Sequence, residues 1–292
     1  MSLHSDASLL SIDRLGPPDL IETFAYLDRD PVVNVYLVAL TVRDALAQPR
    51  DEFWAVRREG EIVALLHLGG QSGAVLPVGV DPQALAKLAR HALTRRAFLP
   101  RRFQIIGQRP AVLELTRQLA DHGVQPRLLR DQRYMALERG GLAKFERLPE
   151  LRPARPDDFE LVFGSGALLR AEELDEDPRV ADPLAYSKRV EDECRDGYTR
   201  LWCDDQGLCF RASVSARTPD AAQISGVYVP PARRGRGIAR RGMAEMCAQL
   251  LEDSRTACLF VNDFNAPAIA VYRRLGFTDR AAWASAFFDT TR

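Results

Sequence analysis

The run Val227-Tyr228-Val229-Pro230-Pro231-Ala232-Arg233-Arg234-Gly235-Arg236-Gly237-Ile238-Ala239 holds the residues of this chain best suited to chemistry. A short apolar strand meets a proline brake, and an Arg-x-x-Gly-x-Ala turn then opens a helix. Two glycines in three residues let a ligand approach the backbone with no Cβ in the way. The first N–H groups of the helix lack intrahelical partners and sit at the positive end of its dipole. The chemistry implied is the binding of an anion, and a pyrophosphate suits such a strand-to-helix cradle.

A loop of this kind needs a sizeable domain to position it, and 292 residues suffice for two globular domains of common size. Lys plus Arg and Asp plus Glu number 40 each, so the formal net charge is zero. Polyanion binding normally goes with a basic excess, which disfavours nucleic acid and anionic membrane as partners. The longest apolar candidate, Val32 to Leu40, is too short to span a bilayer and contains Asn34. The opening Met1-Ser-Leu-His-Ser-Asp has no basic region followed by an apolar stretch, so no secretory leader is expected. The cysteines Cys194, Cys203, Cys209, Cys247 and Cys258 form an odd, scattered set without a Cys-x-x-Cys. That usage predicts buried or free thiols in a reducing cytoplasm. The histidines His4, His67, His91 and His122 all lie in the first half, so the second half has no imidazole for a base or a metal, and no metal site is expected.

The polar, proline-bearing stretch Gly140 to Asp158 reads as a domain boundary, with domains over 1–147 and 148–292. The same order of elements recurs on either side. In the first half, strands Phe53–Val56, Glu61–Leu68 and Ala74–Val80 precede a helix from Pro82 to about Arg95. Strand Phe103–Ile106, helix Pro110–Asp121 and strand Arg133–Leu137 follow. In the second half, helices Phe159–Leu174 and Pro183–Glu193 lead to strands Arg200–Cys203, Leu208–Ala216 and Gln223–Val229. Helix Gly237–Leu251, strand Cys258–Val261, helix Ala266–Leu275 and strand Ala282–Phe288 complete it. Trp54 and Trp202 each occupy the first strand of a hairpin whose turn carries Gly, which points to a tandem repeat of architecture.

Arg234 to Ala239 fit the Arg/Gln-x-x-Gly-x-Gly/Ala signature of the GCN5-related N-acetyltransferase (GNAT) superfamily. Downstream, Leu259-Phe260-Val261-Asn262-Asp263-Phe264-Asn265-Ala266-Pro267-Ala268-Ile269-Ala270-Val271-Tyr272-Arg273-Arg274-Leu275-Gly276-Phe277 resembles that superfamily's second conserved block, in the right order and at the right separation. Ala221 to Val227 and the Asn265-Ala-Pro block are similar to bacterial tandem members with a degenerate N-terminal half. The resemblance implies an α/β (α+β) class: two GNAT-like domains in tandem, each a mixed, mostly antiparallel sheet flanked by helices. Only the C-terminal one carries an acetyl-CoA loop.

Carried over residue by residue, the resemblance gives main-chain groups of Val227, Tyr228 and Val229 to the pantetheine arm of acetyl-CoA. Arg234, Gly235, Arg236, Gly237, Ile238, Ala239 and Arg240 hold the pyrophosphate, chiefly through amides, with charge added by Arg236 and Arg240. Asn265 resembles the asparagine that contacts the arm, and it also suits a helix N-cap. Tyr272 resembles the tyrosine that protonates the departing thiolate, a task fit for a phenol that is neutral at cytoplasmic pH. Its spacing from Ile269 and Leu275 equally suits a core position.

The pattern departs from the family at the base. Acetyl transfer to an amine needs a neutral nitrogen, and many members place a glutamate where this chain has Phe260. The remaining carboxylates are Glu172 and Glu173, near the helical pair that covers the substrate in the family, and Asp263. The acidic run Glu172 to Asp177 would attract a cationic amine or simply end a solvated helix. In the first half the matching junction reads Val78-Gly79-Val80-Asp81-Pro82, where Asp81 would cap the helix and repel phosphate, so no CoA is expected there.

The leading functional reading is transfer of acetyl from acetyl-CoA to a primary amine, on a small molecule or a protein, by direct attack in a ternary complex. A non-catalytic acetyl-CoA sensor or scaffold is the alternative. Aminoacyl transfer from charged tRNA is disfavoured by the zero net charge and the intact cradle. A cytoplasmic monomer or homodimer is expected.

Overall fold

Some strands of this chain alternate apolar with polar residues. Inner strands such as Glu61–Gly69 and Thr256–Asn262 are instead buried along nearly their whole length, as a sheet covered on both faces requires. The computed structural model describes residues 10–290. The opening segment read above for a leader, with His4, lies outside the described residues. Two compact units form, one running to Tyr134 and resuming at Ala281, the other Met135–Arg280. Their cuts therefore fall within strands rather than in the Gly140–Asp158 stretch.

The first unit contains β1 (Leu10–Leu15), α1 (Leu20–Leu27), α2 (Val35–Asp44), β2 (Asp51–Arg58), β3 (Glu61–Gly69) and β4 (Ala74–Gly79). It continues with α3 (Pro82–Thr94), β5 (Arg102–Gln108), α4 (Arg109–Asp121) and most of β6 (Leu128–Glu138). Strands β1 to β4 pair antiparallel in sequence order, and β5 joins parallel to β4.

The second unit contains β7 (Arg152–Pro153), α5 (Phe159–Leu174), α6 (Pro178–Ala181), α7 (Pro183–Arg195), β8 (Thr199–Asp204) and β9 (Gly207–Arg217). Then come β10 (Ala221–Tyr228), α8 (Ile238–Asp253), β11 (Thr256–Asn262) and α9 (Ala266–Leu275). Its strands lie in the order β11-β10-β9-β8-β7, all antiparallel except β10 with β11. Both units are thus mixed, mostly antiparallel sheets flanked by helices.

The last strand, β12 (Thr278–Asp289), departs from the sequence reading. Its Trp283 to Asp289 pair antiparallel with Gln108 to Arg102 of the first unit rather than closing the second half. The reason is side-chain fit: Ala284, Ala286 and Phe288 join the core of Leu66, Leu88 and Ile105, and Phe288 stacks on Phe103 at 4.6 Å. Strand β1, whose Leu10-Ser11-Ile12-Asp13 alternates apolar with polar, was not expected either.

In the second unit the alternation along β9 sends Phe210 and Ala212 to a core with Met243, Leu250 and Tyr272 from α8 and α9. The opposite face packs Leu201 and Tyr228 under Val162, Tyr186 and Val190 from α5 and α7. All five cysteines are free thiols, four of them buried. No helix among the described residues is long and apolar enough to cross a membrane.

Helix α8 approaches β9 closely because residue 242 is glycine. A Cβ there would stand 2.5 Å from Cγ of Phe210, a ring held in the core. Overpacking of this kind costs about 1–3 kcal/mol, more than the ~1 kcal/mol of helix propensity that alanine returns. Gly242→Ala is therefore expected to lower the urea midpoint of unfolding, despite replacing a poor helix former with the best one.

Candidate active site

Strand β10 has two edges, and its neighbours use them unequally. On the β9 side the register runs its whole length, with Ala222 opposite Arg217 and Tyr228 opposite Arg211. On the β11 side only Ala221, Ala222 and Gln223 pair, with Thr256, Ala257 and Cys258. Between Ser225 and Tyr228 the β9 register slips by one residue, at a bulge where Gly226 has φ 61°. A bulge bends and twists its strand. The β10–β11 ladder ends at Gln223, and from Ile224 onward β10 has no β11 ladder partner.

Pro230 ends the strand, a 3₁₀ turn spans Pro231–Arg233, and Arg234 is extended. Gly235 and Gly237 both take φ 76°, a conformation that L side chains avoid, and Gly237 caps α8 without a side-chain hydrogen bond. A Cβ on either glycine would meet nothing within 4 Å, so the mouth of the loop is open space. Geometry leaves the first-turn amides of α8 pointing into it.

Two ion pairs fasten the loop. Arg233 grips Asp204 at 2.6 and 2.8 Å, holding that carboxyl far below the usual range. Arg234 donates from Nε to the Val229 carbonyl at 3.0 Å and from both Nη atoms to Glu172 at 2.7 Å. The exposed side chains of Arg236 and Arg240 make no hydrogen bond or ion pair. Of the arginines assigned to the cofactor, then, Arg234 braces the loop while Arg236 and Arg240 keep their donors available.

Asn265 caps α9, its Oδ1 accepting from the Ala268 N–H at 3.2 Å. The cap leaves the side-chain N–H₂ for another acceptor. Tyr272 lies about two turns further along, on the same helix face. It is 6 % exposed, with its ring 5.8 Å from that of Phe277. Burial raises its phenol well above the ordinary 10, and the negative charge of Glu173 raises it further. The helix ends in a left-handed Gly276, with the Phe277 N–H returning to the Tyr272 carbonyl at 3.0 Å.

The two glutamates read as candidate bases are thus distinguished. The hydrogen bonds from Arg234 hold the Glu172 carboxyl below its ordinary value, so it serves the loop. Glu173 is exposed and within electrostatic reach of Tyr272. Phe260 is part-buried on β11, and Asp263 is exposed just beyond that strand.

The sequence reading missed Arg211. It is 4 % exposed on β9 and lies on the α5 side of the sheet. Nη1 donates to the Val162 carbonyl at 2.9 Å and Nη2 to Ser213 Oγ at 3.1 Å. Glu193 stands 3.5 Å from Nη2. A charged residue in the middle of the alternating run Leu208–Ala216 was the available signal. In the first unit, by contrast, Asp81 accepts from the Gln83 and Ala84 amides at 2.8 and 3.0 Å and pairs with Arg58 at 2.7 Å. A carboxylate occupies the helix start there.

Residues 168–277 match the model of the acetyltransferase (GNAT) family, and residues 51–162 match a domain of unknown function, DUF4081. Among solved structures, the fold is similar to a tandem GNAT protein from the clavulanic acid biosynthesis pathway. That match has 17 % identity and TM-score 0.54, covering 97 % of this chain and 99 % of the other. A GCN5-related N-acetyltransferase from Sphaerobacter thermophilus matches at 18 % identity and TM-score 0.55, covering 95 % of each chain. A GNAT-family acetyltransferase from Colwellia psychrerythraea matches at 14 % identity and TM-score 0.54, covering 95 % and 99 %. A search of curated proteins finds no match. Residues 168–277 therefore form a GNAT domain, and the whole chain has a fold similar to that of the tandem protein.

The Arg234–Glu172 pair is about half exposed, with side-chain accessibilities of 44 % and 48 %, so salt screens it. Glu172→Gln is expected to speed hydrogen exchange across residues 230–237 at neutral pH while β11 keeps its protection. High salt should produce the same change in the wild type. Because the Glu172 pKa is lowered from 4.5, acid should disrupt the brace only as pH falls through that lower value.

Proposed function

We propose that this chain, whose residues 168–277 form a GNAT domain, transfers an acetyl group from acetyl-CoA to an amine within a ternary complex. The observation that carries the reading is the release of β10 from the β11 ladder after Gln223, on the strand that runs on to the left-handed cradle of Gly235 and Gly237. The residues present fit acetyl-CoA. A Cβ-free, left-handed loop at a helix start suits a pyrophosphate, and the unengaged Arg236 and Arg240 add charge beside it. The β10 edge at Val227, Tyr228 and Val229 offers main-chain groups to an extended arm, and the Asn265 amide supplies a donor. When bound, the cosubstrate supplies an acetyl group activated as a thioester.

The chain's own residues supply proton management and placement. The open β10 edge fixes the arm, so the acyl group arrives in one orientation. Tyr272, kept protonated by burial and by Glu173, donates a proton to the leaving sulfur. Glu173, exposed on α5, takes the proton from the incoming amine through water, the task for which Phe260 is unfit. Glu172 acts one step removed, by holding Arg234 and hence the loop.

Two variants separate binding from chemistry. Gly237→Glu forces a side chain with φ 76° and a negative charge into the cradle, so the thermal shift given by acetyl-CoA should vanish while the protein stays folded. Tyr272→Phe should retain that shift and release CoA with an amine panel about a hundredfold or more slowly, at every pH in the neutral range. Equal thermal shifts for wild type and Gly237→Glu would refute the cradle. Acetyl-CoA binding with no turnover of any amine would refute the transferase reading.

A further inference from the structure

We infer that the acceptor amine also carries a carboxylate, as an α-amino acid does, and that Arg170, Arg189 and Arg211 receive it. The inference rests on the acetyl-transfer reading of the same cleft and names its substrate class. Arg211 forms the floor. Its Nη2 lies 3.8 Å from where a Cβ of Gly226 would be, so the guanidinium sits beside the β10 bulge. Leu169 of α5 reaches the same spot, its Cδ2 at 3.9 Å, and Arg170 of that helix lies within electrostatic reach of the Tyr186 hydroxyl. On α7, the Arg189 guanidinium lies 5.5 Å over the ring of Tyr186. Room for this grouping comes from Gly166, where a Cβ would stand 2.6 Å from the Tyr186 hydroxyl and 2.8 Å from Arg211 Nη1.

Arg211 and Arg170 hold more hydrogen-bond donors than their surroundings accept, and Arg189 presents its own to solvent. A guanidinium carries five N–H donors and no acceptor. Arg211 bonds to Val162, Ser165 and Ser213, yet its buried Nε has no partner. Arg170 donates to Glu176 at 3.2 Å, and its Nε is likewise buried without a partner. Arg189 stacks on Tyr186 and makes no hydrogen bond. The carboxylates that face the group have other partners as well. Glu193 accepts from Thr199 at 3.0 Å while standing 3.5 Å from Arg211 Nη2, so it balances one arginine of the group, and Asp182 caps α7 through the Ala185 amide. Buried donors without acceptors are costly, and a planar carboxylate satisfies them in pairs.

Charge around the cleft selects a zwitterion over a simple cation. Much of the acidic run is already bound, with Glu172 on Arg234, Glu176 on Arg170 and Asp177 on Arg179. Glu173 stands three residues from Arg170 on α5, and residues so spaced share one helix face. An ammonium facing Glu173 and a carboxylate facing Arg170 reproduce the short charge separation of an α-amino acid.

The test uses full-length protein with saturating acetyl-CoA. CoA release is measured for the common α-amino acids, their carboxamides and the matching decarboxylated amines. At least one amino acid should exceed its carboxamide by on the order of tenfold or more in kcat/KM, because each analogue leaves the arginines unpaired. Arg189→Gln, on an exposed side chain, should bring that ratio near one while keeping the acetyl-CoA thermal shift. A carboxamide or decarboxylated amine used as well as its amino acid overturns the inference, as does a ratio unchanged in both Arg189→Gln and Arg170→Gln. A binding readout stands apart from turnover: thermal shifts of the CoA-bound protein with the same compounds. An amino acid that shifts the wild type but not Arg189→Gln supports the carboxylate site even if acetyl transfer itself fails. No shift and no turnover with any amino acid overturns it.

Discussion

Strand β10 carries one residue more than β9 between Ser225 and Tyr228, and the second unit's cleft depends on how that residue is absorbed. Gly226 takes it up in a left-handed conformation, which turns the strand while keeping its bonds to β9. The β11 edge is released instead. A backbone edge buried without a partner would be penalised, so the structure is tolerable only where water or a ligand can reach it. The loop, the braces on Arg233 and Arg234, and the cap at Asn265 are arranged around that released edge.

The first unit shows that the topology alone does not produce such a site. Its β4 and β5 are also parallel neighbours, yet a Cβ on Gly107 would stand 3.1 Å from the Pro77 carbonyl, so the strands stay close beyond their paired residues. Asp81 then satisfies the amides that a phosphate would need. Two substitutions in kind, a closed strand pair and an acidic cap, separate a scaffold from a cradle on the same architecture.

The backbone form of the loop and of α9 was largely legible in the sequence because it is local. Proline brake, paired glycines and helix start are consecutive, so residues 227–240 disclose their backbone form without reference to distant contacts. Asn265, Tyr272 and Gly276 were legible for the same reason, as start, face and stop of one helix. What escaped was non-local. The pairing of Glu172 with Arg234 spans two distant segments, and Arg170, Arg189 and Arg211 reach Tyr186 from two helices and a strand. Strand β12 misled for the reverse reason: its Ala-rich alternation fits any sheet face, and only the shape of the Phe103–Ile105 surface decides which.

That last strand bears on how the protein is made. Most of the first unit's sequence precedes the second unit's in the chain, yet Trp283 to Asp289 of its sheet emerge only after the second unit's sequence is complete. During synthesis the β5 edge, Arg102–Gln108, waits with its hydrogen-bonding groups unclaimed while well over a hundred residues are added. The second unit needs no such late arrival, because Met135–Arg280 is contiguous in the chain. The half begun later on the ribosome is therefore the half that can finish first.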